Sequence, residues 1–98
     1  MRSLTITMSG TPPVRVDRDA WPIVAYAGLT DTNLRLVVRR HADGRAIVHG
    51  TGPGERRGGR VTVDDRLSIV IRELAEELEL GEAFAQRCIA DLPPTVLR

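Results

Sequence analysis

Few residues in this 98-residue chain have the chemistry for metal binding or covalent catalysis: His41 and His49, Cys88, the serines Ser3, Ser9 and Ser68, and the acids Glu73, Glu76 and Glu77. A zinc site needs every ligand within about 2.0–2.3 Å of the ion. The two histidines fall on opposite strands of a predicted hairpin, four residues apart along it, which is about 13 Å at roughly 3.3 Å per residue. They cannot share a metal in that arrangement, and Cys88 lies far off on a helix. None of the serines sits in a nucleophile-elbow pattern. Cys88 stands beside Ile89 and one turn from Phe84, so it reads as a buried, inert thiol. Glu73, Glu76 and Glu77 lie outside the apolar stripe of their helix and read as solvated acids. Nothing around them would raise a carboxylate pKa, as acid–base catalysis requires. The stretch Gly50–Gly59 is rich in glycine but lacks phosphate-loop spacing and leads to a strand rather than to a helix. The expectation is a non-enzymatic protein with no catalytic residue, no cofactor and no metal.

The elements that would position these residues follow from composition and pattern. With 42% hydrophobic and 28% charged residues the chain reads as one globular domain. No apolar run reaches the roughly 18–20 residues of a membrane span, and the opening MRSLTITMSG lacks the apolar core of a signal peptide. One cysteine excludes an internal disulfide, which suits the cytoplasm. Residues 1–13 read as a flexible leader or short strand, in which Leu4, Ile6 and Met8 alternate with polar neighbours before Pro12-Pro13. Met8 could itself be the start residue. Residues 14–98 read as a single α+β domain. Asp19 with Pro22 predicts a helix over Ala20–Ala27, stopped by Gly28. Leu34–His41 and Arg45–Gly50 predict a hairpin around Ala42-Asp43-Gly44, with Val37 opposite His49, Val38 opposite Val48 and Arg39 opposite Ile47. Five glycines and a proline in Gly50–Gly59 predict a flexible loop. Arg60–Val63 reads as a third strand. Thr62 or Asp64 would then cap a long amphipathic helix bearing Leu67, Val70, Ile71, Leu74, Ala75 and Leu78 on one stripe, ended by Gly81. A shorter helix covers Glu82–Asp91. The expected architecture is a small antiparallel sheet, hairpin plus third strand, packed on one face by the long C-terminal helix and by shorter helices.

Charge and exposed apolar residues suggest two kinds of partner. All fourteen basic residues are arginine. Residues 1–60 hold ten arginines against five acids, and residues 61–98 hold four against eight. The front is basic and the rear acidic. Arg35, Arg39, Arg45, Arg56 and Arg57 are candidate anion or nucleic-acid contacts, since phosphate contacts supply most non-specific affinity. The hairpin carries no aromatic to stack a base, and Trp21, Tyr26 and Phe84 all fall in predicted helices, so any nucleic-acid binding would be weak. Val37 and Ile47 lie among arginines on the outward hairpin face, and Ile69 and Leu80 project from the acidic side of the long helix. These four form the candidate surface for a protein partner or a second copy. Coverage by the N-terminal segment or the last helix is the competing reading of the same residues.

Three stretches, Arg18-Asp19-Ala20-Trp21-Pro22-Ile23-Val24-Ala25, Arg40-His41-Ala42-Asp43-Gly44-Arg45-Ala46-Ile47-Val48 and Cys88-Ile89-Ala90-Asp91-Leu92-Pro93, together resemble a group of small uncharacterised proteins of GC-rich bacteria, often encoded near phage or plasmid genes. The resemblance implies a small accessory protein and supplies no activity or site residue. The Gly50–Gly59 stretch departs from the group, whose central region is longer and richer in aromatics.

Overall fold

The computed structural model describes residues 2–94. Strands β1 (Ser3–Ile6) and β2 (Val14–Asp17) form an antiparallel pair. Strands β3 (Ile23–Gly28), β4 (Arg35–Arg40), β5 (Arg45–Thr51) and β6 (Arg57–Val63) follow as a four-stranded antiparallel meander. Helices α1 (Leu67–Glu77) and α2 (Glu82–Ala90) close the described chain. The fold is α+β. Among the described residues no helix is long and apolar enough to cross a membrane.

The β4–β5 hairpin has the register that alternation predicts, with Val37 opposite His49, Val38 opposite Val48 and Arg39 opposite Ile47. Gly44 takes φ +95°, and the His41 N–H donates to the Arg45 carbonyl at 2.8 Å, which closes the turn. Leu36, Val38, Ala46 and Val48 are fully buried against Leu67, Ile71 and Leu74 of α1, Leu78 just past its end, and Phe84, Ala85 and Cys88 of α2. Each large aliphatic buried here contributes about 1.5–3 kcal/mol, so this seal is the main stabilising contribution. Cys88 lies inside it. Burial, with Asp91 nearby, pushes its thiol pKa up to about 12, which leaves it unreactive at neutral pH.

Three expectations are corrected, and of the two readings of residues 1–13 the short strand is the one observed. The helix expected over Ala20–Ala27 is strand β3. The chain makes only one turn, in which the Ala20 and Trp21 N–H groups donate to the Asp17 carbonyl. Trp21 precedes Pro22, and the residue before a proline is driven out of the helical region. Beyond it, buried Ala25 and Ala27 alternate with exposed Ile23 and Tyr26 at a period of two, with a bulge at Val24.

Residues 1–13, expected as a flexible leader or short strand, hold strand β1 and form a structural layer with β2. Ile6, Met8 and Trp21 pack on Ile47 as a second apolar cluster, flanked by Leu4, Val14, Val16 and Ala20. The sheet is therefore covered on both faces, by helices on one and by the β1–β2 hairpin on the other.

The expected flexible loop at Gly50–Gly59 is a short 3-10 turn, Pro53–Glu55, between paired strands. Gly58 and Gly59 are strand residues that leave room for the N-terminal segment. A Cβ on Gly59 would stand 2.7 Å from the Thr7 carbonyl oxygen and 3.1 Å from the Met8 sulfur.

The long helix is also shorter than expected, with a 3-10 turn over Asp64–Arg66 and eleven α-helical residues. Neither Thr62 nor Asp64 caps it, because the Asp64 carboxylate is taken by the Arg40 guanidinium at 2.7 and 2.9 Å. Its end is set by Glu79, at φ 59°, and not by Gly81. The Leu80 N–H donates to the Ala75 carbonyl and the Glu79 N–H to that of Glu76. This Schellman turn folds Leu80 back onto the main core.

Candidate functional site

The outer face of the sheet, opposite the helices, holds most of the residues singled out in the sequence. Strand alternation puts Arg35, Val37, Arg39, Arg45, Ile47, His49 and Thr51 there, and the β6 pairing adds Arg57, Gly59, Val61 and Val63. The β1–β2 hairpin takes the middle of this face. Val37 and Ile47, expected as a partner surface, are accordingly 4% and 2% exposed. Leu80 is only partly exposed and packs on the helical side, whereas Ile69 is 48% exposed, as expected of a partner surface. The four residues do not form one patch.

The basic surface is dispersed in the same way. Arg39 is buried; its Nη1 donates to the Trp21 carbonyl at 3.0 Å and its Nε to His49 Nε2 at 3.2 Å. Arg45 is paired with Asp43 at 2.7 Å and lies over the Trp21 ring, which in turn stands 5.0 Å from the His41 ring. Arg56 bridges to Glu79 and to the Glu77 carbonyl at the end of α1. Arg60 pairs with Glu77 at 2.7 Å and Glu73 at 3.6 Å. Of the five candidate contacts, Arg35, Arg39 and Arg57 have no acidic partner among the described residues, and Arg39 is buried. Arg35 and Arg57 are exposed, and they flank Thr51 as one cross-strand row. Trp21 and Tyr26 lie outside the helices, contrary to expectation, and the exposed Tyr26 ring folds along its own strand over Gly28.

Polar side chains tie the layers together. The Ser9 hydroxyl donates to Glu77 and accepts the Gly59 N–H, so one carboxylate joins the N-terminal segment, β6 and α1. Burial alone would raise the Glu77 pKa. The hydrogen bonds from Arg60 and Ser9 outweigh it and hold the carboxyl below its ordinary value. Glu77 is thus a structural acid and not the solvated one expected. Among the described residues no three His, Cys, Asp or Glu side chains gather as ligands for a metal ion.

His49 is the one histidine placed where its charge would matter. Burial first, then Arg39 and Arg35, push its pKa from 6.5 down to about 4. The ring is neutral at pH 7 and accepts at Nε2. In the unfolded chain it protonates near pH 6.5, so acid favours unfolding across the window from about pH 6.5 to 4. Folding stability is expected to fall by about 3 kcal/mol as pH drops through that window, and a His49→Gln variant, which keeps an acceptor for Arg39, to fall much less. Urea midpoints measured at half-unit pH steps check this. The lowered carboxyls of Asp43, Asp64 and Glu77 lose their contribution at lower pH, below their unfolded values, so the two limbs separate.

The two edges of the sheet differ. On β3, Asp91 accepts the outward Tyr26 N–H at 2.8 Å and Arg87 donates to the outward Gly28 carbonyl at 3.0 Å, so side chains from the α2 end fill that edge. On β6, Gly59 turns its N–H and C=O outward, where Ser9 meets both. Antiparallel alternation then sends the same groups of Val61 and Val63 outward. The Val63 carbonyl takes the Thr62 hydroxyl at 3.3 Å and opens the 3-10 turn that follows. The Val61 and Val63 side chains are 57% and 46% exposed. Ile69 precedes Glu73 by one turn on the side of α1 that reaches Arg60, so it stands over this open stretch. Sequence reasoning placed Val61 and Val63 on a strand but not at its unpaired edge, because only the sheet order reveals which strand is last. No family model, curated protein or solved structure matches the chain, and the functional reading therefore rests on these surfaces.

Proposed function

We propose that the protein is a small non-enzymatic binding module that adds an extended strand to the open half of β6, and that this strand is the same segment of a second copy. The observation behind this reading is the sheet edge at Val61 and Val63, apolar and exposed, where alternation turns both N–H groups and the Val61 C=O outward while the Val63 C=O takes the Thr62 hydroxyl. Such an edge is a template for strand addition. Two copies related by a two-fold axis through residue 62 would pair Val61 with Val63 in both directions, each Val63 N–H donating to the other copy's Val61 C=O. Ile69 of each copy would extend the contact on the helical side. Arg60 is already balanced by Glu73 and Glu77, so the strand brings no unpaired cation to the contact. A lone thiol with no second cysteine to pair with supports a cytoplasmic setting for the module.

So short a contact implies weak association, with a dissociation constant on the order of 10–1000 µM. Light scattering across that concentration range is expected to show the mass rising from 10.8 kDa toward twice that value. Val61→Lys, which sets like charges across the pair, should hold it at the monomer mass. A wild-type chain that stays monomeric throughout, or a dimer indifferent to Val61→Lys, would refute the reading.

A further inference from the structure

Between β1 and the outer face of the sheet runs a cleft of about 100 Å³, lined on one side by Leu4 and Ile6 and on the other by Arg35, His49, Thr51 and Arg57. A water needs roughly 10–15 Å³ of such space, so the cleft takes a group of several heavy atoms. Its charge is one-sided. Two guanidiniums and an imidazole line it, and no carboxylate does. Neither guanidinium has a carboxylate partner among the described residues, so an anion can enter without displacing an existing ion pair.

Register supplies the geometry. Arg35 is opposite Thr51, and Thr51 is opposite Arg57, so the two arginines stand on either side of one threonine. Adjacent strands lie about 4.8 Å apart, which separates the two arginine Cα atoms by roughly 10 Å. Side chains of that length can close from both sides on a group lying over Thr51. Thr51 is 4% exposed and lines the cleft.

We propose that this cleft binds the phosphate group of a small phosphomonoester, gripped by Arg35 and Arg57 from opposite sides with the Thr51 hydroxyl beneath. Each guanidinium is a planar fork that holds two oxygens. A carboxylate has two oxygens in one plane and is satisfied by one fork. A tetrahedral dianion offers oxygens to both forks and a further one to Thr51, and its charge matches theirs. A nucleic acid fits less well, because it needs a track of phosphate contacts, and the other arginines of this face, Arg39 and Arg45, are engaged by Trp21, His49 and Asp43. The cleft lies at the opposite end of β6 from Val61 and Val63, so the proposal stands apart from strand addition.

The test is a titration of the full chain, followed by amide NMR, with inorganic phosphate, phenyl phosphate, acetate and a short single-stranded DNA at fixed ionic strength. Saturable one-to-one shifts centred on Arg35, Thr51 and Arg57 are expected with both phosphates. Arg35→Gln and Arg57→Gln should each weaken binding at least tenfold, while Arg45→Gln leaves it unchanged. Both substituted residues are exposed, so an otherwise unaltered spectrum verifies the fold of the variants. Four outcomes would overturn the proposal: no saturable shift, shifts that survive in both variants, equal binding of acetate, or DNA binding tighter than phenyl phosphate.

Discussion

Ile47→Glu is expected to unfold the protein or to lower its stability by about 4 kcal/mol or more, although the sequence places Ile47 on an arginine-rich outward face. Ile47 is 2% exposed and enclosed by Ile6, Met8 and Trp21. A carboxylate there either stays charged without water or takes up a proton, and both cost several kcal/mol. A domain of this size has only about 5–15 kcal/mol in total. The alternative, release of the β1–β2 hairpin, exposes the whole second apolar cluster. Val61, directly opposite Ile47 on β6, is the control. Val61→Glu should change stability by no more than about 0.5 kcal/mol when measured on the monomer. Urea unfolding followed by Trp21 fluorescence reads both variants. A mild effect at Ile47 would show that the hairpin does not seal this face.

Gly52→Ala should cost about 3 kcal/mol or more, the other large effect. Gly52 sits where β5 enters the 3-10 turn, and its N–H donates to the Arg56 carbonyl at 2.7 Å. A Cβ at that position would lie 1.9 Å from the Leu78 carbonyl oxygen and 2.9 Å from its carbon. The obstacle is backbone, fixed by the Schellman turn at the end of α1, and cannot rotate aside. Either the helix end or the β5–β6 turn must move, and Arg56, which bonds the Glu77 carbonyl, moves with it. Overpacking against side chains alone costs about 1–3 kcal/mol, and a fixed carbonyl sets the higher value. Gly54, where a Cβ meets nothing within 4 Å, gives a contrast inside the same turn, although its φ of +71° adds local strain of its own. The midpoint of urea unfolding for Gly52→Ala tests the expectation.

What could be read in the chain, and what could not, follows from the range of the physics involved. The β4–β5 register was legible because alternation and the Asp43-Gly44 turn are local, and a slip by one residue would mix apolar and charged sets. The apolar stripe of α1 was legible for the same reason. The inert character of Cys88 followed from its neighbours one turn away. The β3 segment was misread because Ile23, Val24, Ala25 and Ala27 are apolar on every side, and such a run does not distinguish a buried helix from a strand. The clue was Pro22, whose effect on Trp21 outweighs its tolerance in a first helical turn. Gly58 and Gly59 were misread because glycine content looks the same whether it provides freedom or clearance, and the segment needing clearance lies about fifty residues earlier in the chain. Val37 and Ile47 were held between a free patch and a covered one; both are buried, Ile47 under the N-terminal hairpin. The Arg35–Thr51–Arg57 row needed the β5–β6 pairing, which an assumed flexible loop had hidden.

The side chains of Asp91 and Arg87 on the Tyr26 and Gly28 backbone have a consequence for growth. A sheet that accepts a neighbour at both ends can stack without limit, and the product is a fibre. Here one terminus of the meander is plugged by side chains from the α2 end, so any union at the other terminus uses up the one vacancy of that sheet and stops at two.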